Sequence, residues 1–383
     1  MRKKPVRKSA AKSVTKEYMG FTKTDPVLFN LVLVLVCFGL IMCFSASAPT
    51  AQVQNGDSYY FLKRQMIWAV LGFIAMLFTS NFHYARYKKY SFMFYVATIG
   101  LLLIVLAFPG INGAKRWIGI GGFSFQPSEV AKYSLIIMLS HKMSVQNWEK
   151  STFFKDFVPY LILYGVFALM LMLEPHFSCT LLLFGVTVAM LFVSGAKMKY
   201  FAICLLVAIP AIYFLAFSGY RGERMAVFLD PMGSDPSGEG WQIRQSLYAI
   251  GSGGMFGLGI GQSRQKFLYL PEPQNDFIFS VICEELGFLG AAVVILLFAA
   301  LIWRGIYIAV NAPDKFSCYL ATGITALIAI QIIVNIAVVT SSMPVTGMPL
   351  PFFSAGGSSL VFLMAGMGIL LNISKSIRQN KSK

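Results

Sequence analysis

The sequence predicts an all-α polytopic membrane protein with ten transmembrane helices, and three observations predict it. Hydrophobic residues make up 57% of the 383, with a mean hydropathy of +0.67. Only 13% of residues are charged, about half the share found in soluble domains. Apolar windows close to the length that crosses about 30 Å of hydrocarbon recur along the chain. Backbone groups in lipid must be satisfied within the segment, and the alternation of barrel strands is missing, so the windows read as helices.

In chain order the windows are 27–48, 66–81, 91–108, 128–144, 155–173, 178–194, 199–217, 277–303, 317–340 and 352–374. The fourth is short and carries charges. Residues 1–26 read as a basic cytoplasmic tail, 27–375 as the membrane domain and 376–383 as a second basic cytoplasmic tail. The first window is long enough to span, and no cleavable leader is expected ahead of it. With the N-terminus in the cytoplasm and alternating spans, 22 of the 32 Lys and Arg fall on the cytoplasmic side. That excess predicts both termini inside and a long extracytoplasmic loop, 218–276, between helices 7 and 8. The net charge of +16 therefore reports topology, with some affinity of the tail for anionic lipid. It does not point to nucleic acid.

The six cysteines (37, 43, 179, 204, 283 and 318) are scattered through apolar segments and read as small packing residues. The three histidines are dispersed, and no metal-ligand spacing or organic-cofactor motif is present. "GLGIGQ", 257–262, lacks the Lys-Ser/Thr of a phosphate loop and faces away from cytoplasmic nucleotide. Its glycines read as tight turns or a close backbone approach to a ligand.

Polar chemistry concentrates in three outer stretches: 111–132, the loop 218–276, and 344–360. The first holds Lys115, Arg116 and Trp117, then Gln126, Pro127, Ser128, Glu129 and Lys132. Ser128 is placed to cap the following helix, and Glu129 and Lys132, three apart, share a helical face. They read either as a cap with a snorkelling pair or as the lining of a site. The loop adds Arg221, Glu223, Arg224, Asp230, Asp235, Glu239 and Arg244. Glu284 and Glu285 fall inside the eighth window, about 12–13.5 Å deeper than Asp276 at 1.5 Å per residue. Such intramembrane acids are expected to be paired. Asp276 stands where that helix meets water, and two readings stand: an N-cap, or a base acting on an outer-leaflet substrate.

"NGAKRWIGIGGFSFQPSEVAK", "GSGGMFGLGIGQSRQKFLYLPEPQNDFIFSVICEELGFLG" and "PVTGMPLPFFSAGGSSL" together resemble the SEDS family, which comprises RodA, FtsW and SpoVE. The resemblance covers about 27–375, and "GDSYYFLKRQ" and "LEPHF" lean toward the FtsW/SpoVE branch. It implies a peptidoglycan glycosyltransferase that polymerises lipid II at the outer face of the cytoplasmic membrane, beside a class B penicillin-binding protein transpeptidase. The family's essential aspartate falls on Asp276, the acid and base of "QPSE..K" on Glu129 and Lys132, and the "RW" pair on Arg116 and Trp117. Many members carry an acid at the start of the sixth span where this chain has His176, so no role of that acid is carried over.

On this reading Asp276 deprotonates the acceptor 4-hydroxyl. Arg116, Lys132 and the loop arginines Arg221, Arg224 or Arg244 neutralise the departing diphosphate, a divalent cation (Mg or Mn) shares that task, and Glu129 holds Lys132. Two rivals predict different behaviour. A lipid II flippase would move lipid without making glycan, and a non-catalytic scaffold would still support its partner after Asp276 is changed.

Overall fold

A computed structural model describes residues 24–381, apart from 110–114, 121–122, 150, 205, 207–208, 210–219, 232, 234–238 and 268. The chain starts with three long apolar helices, α1 (Pro26–Asn55), α2 (Tyr60–Asn81) and α3 (Ala85–Val105). A short antiparallel hairpin, β1 (Ile118–Ile120) with β2 (Phe123–Phe125), leads into α4 (Pro127–Ser144). A π-helical turn, Phe153–Phe157, opens α5 (Val158–Leu173), and α6 (Phe177–Val193) follows. Residues 198–204 are helical, and most of the expected seventh window lies outside the described residues. The expected outer loop contains two helices, α7 (Tyr220–Leu229) and α8 (Glu239–Ser252). The chain ends in α9 (Ile278–Val310), α10 (Lys315–Val339) and α11 (Gly357–Lys381).

Seven segments among the described residues are long and apolar enough to cross a membrane, while α6 is a shorter apolar helix. α1 and α2 are longer than their hydropathy windows because polar ends extend them. Asp25 caps α1 by accepting from the Val27 and Leu28 amides, and Gly56 stops it in the left-handed region at φ 69°. α11 is central: 72% of its apolar window is buried, against 22% for α2. The two helices pack closely, with the Thr79 hydroxyl donating to the Ala365 carbonyl at 2.8 Å.

Polar contacts gather at the two ends of the bundle. At one end Arg304 pairs with Asp25 at 2.6 Å, the Tyr84 hydroxyl donates to Asp314 at 2.6 Å, and Lys375 donates to the Ser80 carbonyl at 3.0 Å. The three stretches singled out in the sequence meet at the other end.

α9 is broken at Gly287, whose φ of 67° and ψ of −168° leave the helix. The glycine-rich segment lies against that break. The amides of Leu258 and Gly259 donate to the carbonyls of Glu284 and Glu285 at 3.0 and 2.9 Å. The amides of Phe288 and Leu289 donate to the carbonyls of Gly254 and Met255 at 2.8 and 3.2 Å. A Cβ on Gly287 would run into the backbone of Gly257 and Met255. The glycines thus allow approach to a helix backbone, where the sequence had left a ligand open.

Candidate functional site

Asp276 sits in the turn just before α9, half-buried. Its carbonyl accepts from the Asn335 side chain at 2.8 Å. The N-cap position of α9 belongs to Phe277, which makes no side-chain cap bond, so the capping reading of Asp276 is not realised. Among the described residues the Asp276 carboxylate makes no hydrogen bond. Burial, helped by the neighbouring Glu272 carboxylate, pushes it up to about 6, while Arg224 pulls the other way. Among the described residues the carboxylate thus stands half-buried without a hydrogen-bond partner.

Arg224, on α7, donates to the Val345 carbonyl at 3.2 Å. Arg221 lies on the same helix, and its side chain falls outside the described residues. Arg244, on α8, turns back to the Gly240 carbonyl of its own helix at 3.3 Å. Among the described side chains, Arg224 acts on Asp276.

The first stretch forms a second group. Lys132 donates to Glu129 at 2.7 Å, and both side chains are buried, at 6% and 7% exposure. This pair does not snorkel to water. The helix starts at Pro127 after Gln126, and the Ser128 hydroxyl is buried without a partner, so the expected Ser128 cap is not formed. A cavity of about 20 Å³ lies against Glu129, Lys132, Tyr133, Gln331 and Ser354, room for about one water. Arg116 donates to the carbonyls of Glu174, at 3.1 Å, and of Pro175. Trp117, half-buried, precedes β1. Arg116, Glu129, Lys132 and Glu174 all act electrostatically on Cys179, which places the "RW" and "QPSE..K" residues around the start of α6.

Two neighbours there were not read as site residues in the sequence. Glu174 is fully buried with neither carboxyl oxygen hydrogen-bonded, and burial raises it to about 8 despite Arg116. His176 is driven down to about 3 by burial, with Arg116 and Lys132 adding to the effect. His176 is therefore a neutral imidazole and cannot supply the negative charge of the acid it replaces.

Segment 344–356 ties the two groups together. Val345 accepts from Arg224, Thr346 accepts from the Ser178 hydroxyl at the start of α6, and Gly347 lies beside the Asp276 carboxylate. Two amides on α10 hold the segment: Gln331 donates to the Pro349 carbonyl at 3.2 Å and Asn335 to the Met348 carbonyl at 2.7 Å. Ser354 donates to the Asn275 carbonyl at 2.7 Å. Gln331 and Asn335 were missed in the sequence, although two amides one turn apart inside an apolar span are the signal that finds them. Across segment 344–356 the Asp276 carboxylate stands with one group, and Arg116, Glu129, Lys132 and Glu174 with the other. The arrangement is suited to withdrawing a proton and stabilising an anion.

A family model described as Cell cycle protein, spanning FtsW, RodA and SpoVE, matches residues 26–379. Stage V sporulation protein E of Bacillus subtilis strain 168 is 44% identical over 363 residues, 93% of this chain and 98% of that protein. A probable peptidoglycan glycosyltransferase FtsW of Geobacter sp. strain M18 is 41% identical over 359 residues, 92% of this chain and 97% of that protein. Among solved structures, a chain from work on polymerization and crosslinking by a peptidoglycan synthase complex superposes with a TM-score of 0.79 at 27% identity. It covers 93% of this chain and 99% of its own length. The rod shape determining protein RodA of Thermus thermophilus gives 0.70 at 26% identity, covering 92% and 97%.

Proposed function

The chain belongs to the FtsW, RodA and SpoVE family of cell cycle proteins, and on that premise we propose that Asp276 is the general base with which it polymerises lipid II. It is a peptidoglycan glycosyltransferase and a multi-pass bacterial membrane protein. The observation that carries the assignment of Asp276 is its carboxylate: half-buried at the mouth of α9, raised to about 6 and, among the described residues, without a hydrogen-bond partner. A base is most effective when its pKa lies near the working pH.

The proposed step is a single displacement. Asp276 takes the proton of the 4-hydroxyl on the acceptor's N-acetylglucosamine. That oxygen attacks the anomeric carbon of the donor's N-acetylmuramic acid. The bond from this carbon to the diphosphate breaks, and undecaprenyl diphosphate leaves with the electron pair. An α-linked donor gives a β-linked glycan. Arg116 and Lys132 stabilise the departing diphosphate, Glu129 holds Lys132, and Arg224 keeps part of the Asp276 population ionised.

Among the described residues no group of three or more His, Cys, Asp or Glu side chains converges. These residues do not build a cage for Mg or Mn, and no step is routed through a metal. A divalent cation would come with the substrate diphosphate.

The finer architecture belongs to the same proposal: ten spans, both termini in the cytoplasm, the site facing outward, and a class B penicillin-binding protein alongside. Septum synthesis, in division or sporulation, is the setting the relatives' names suggest. The test is purified protein with lipid II, with and without that transpeptidase. Wild type should make glycan polymer, and Asp276→Asn should fold and lose at least about 100-fold in rate. A polymerising Asp276→Asn variant would remove Asp276 from the role of base.

A further inference from the structure

Below the site, inside the span of α9, lies a polar cluster that the proton transfer does not use. Glu284 and Glu285 are fully buried. Lys266 pairs with Glu285 at 2.7 Å, the Ser45 hydroxyl of α1 donates to the same carboxylate at 2.7 Å, and the Lys266 ammonium reaches Ser45 at 3.2 Å. Glu284 accepts from the Ser263 hydroxyl at 2.5 Å and from the Arg264 amide at 2.9 Å. Each carboxylate of α9 thus grips the same short turn, 263–266.

Burial of an ion pair is a poor way to gain stability, because well-packed apolar side chains of similar volume do as well or better. What a buried pair supplies is register. Lys266 and Glu285 are 19 residues apart, and Asp276 lies ten residues after the first and nine before the second. The ion pair joins two points of the chain with Asp276 about midway between them in sequence. Within that stretch the Leu270 amide donates to the Gln265 carbonyl at 2.8 Å and the Asn275 amide to the Glu272 carbonyl at 3.0 Å. Outside it, the Trp241 indole donates to the Tyr269 carbonyl at 2.6 Å. A shift of Lys266 relative to Glu285 therefore bears on the tethered turn that carries Asp276.

We propose that Lys266, Glu285 and Ser45 are positioning residues that fix the height of Asp276 at the membrane surface. This rests on the reading of Asp276 as the base. The clasp itself touches no substrate: it holds the carboxylate near Glu272 of its own turn and Arg224 of α7, charged groups that act on it.

The experiment compares wild type with the double variant Lys266→Met, Glu285→Leu, in which apolar side chains replace the pair, and with Ser45→Ala. Thermal unfolding in detergent reports the fold. Polymerisation of lipid II by the full chain with its transpeptidase, between pH 5 and 8, reports kcat, KM and the acid limb of the profile. The double variant should fold, lose about tenfold in kcat, hold KM within about twofold, and move its acid limb. Ser45→Ala should lose about threefold in kcat with a displaced limb, and it decides the matter if the double variant does not accumulate. A kcat within about twofold of wild type, or a lower kcat with the limb unmoved, overturns the proposal. Asp276→Asn runs in parallel: activity there sinks the base assignment itself, whereas an inactive Asp276→Asn beside unchanged clasp variants sinks only the clasp.

Discussion

At the scale of single residues, Asp276 makes two predictions of opposite sign for activity and stability. Its carboxyl, ordinarily near 3.8, is raised to about 6 by burial and by Glu272. The base works ionised, so kcat/KM should climb with pH up to about 6 and then level. Glu272→Gln should move that limb down and Arg224→Met should move it up; kcat/KM profiles measured at low ionic strength, where the two charges are least screened, check both. Stability runs the other way. A raised carboxyl contributes stability at low pH and loses it as pH rises through about 6, because the buried charge is costly. Asp276→Asn should therefore raise the unfolding temperature at pH 8 and change it little at pH 4. The residue type and position of Asp276, Glu129, Lys132 and Arg116 were all legible in the sequence. The free state of the carboxylate was not, since a cap and a base share the same position before a helix. Nor was the neutral state of His176, which depends first on its burial and then on Arg116 and Lys132 arriving from other elements.

At the scale of elements, segment 344–356 shows what a linear reading leaves out. Its prolines mark a turned stretch, but the amides that hold it, Gln331 and Asn335, stand on α10 and spend their hydrogen bonds on its carbonyls. Asn335 also holds the Asp276 carbonyl. Asn335→Leu should leave two buried carbonyls unsatisfied, cost about 1–3 kcal/mol of stability and lower kcat more than it raises KM. The break in α9 carries a sharper prediction. Gly287 holds a φ of 67°, with the backbone of Gly257 and Met255 where a Cβ would stand. Gly287→Ala should cost at least about 1–3 kcal/mol, whereas alanine at Gly100, where a Cβ meets nothing within 4 Å, should be nearly neutral. Paired unfolding curves in detergent would show the contrast. Hydropathy could find α9 but not its break, because glycine in an apolar span is common and the partner segment lies about 30 residues upstream.

At the scale of the whole molecule, nine of the ten sequence windows fall on helices among the described residues. Hydropathy reads spans well because lipid imposes one rule on every residue it touches. It underestimated α1 and α2, whose polar ends lie beyond the windows. It read the long outer loop as a connection, although that region contains α7, α8 and a segment that dips back against α9. The orientation is testable in a chain freed of its six cysteines. A cysteine at Gln54, between the first two spans, should react with an impermeant maleimide in intact spheroplasts. One at Val145, beyond α4, should react only after lysis.

The glycine-rich segment also bears on how the protein is made. Its amides and carbonyls are satisfied by α9, which leaves the ribosome after it. Until α9 arrives, the Leu258 and Gly259 amides and the Gly254 and Met255 carbonyls lack those partners, and a bilayer rejects unpaired backbone. Residues 253–262 must therefore wait in water, or under a chaperone's cover, and settle into place only once α9 has been inserted. Insertion of α9 is then the step that seats the turn carrying Asp276, and α10, made after it, adds the Asn335 amide that holds the Asp276 carbonyl. A nascent chain that stops short of α9 would have every earlier span and no site.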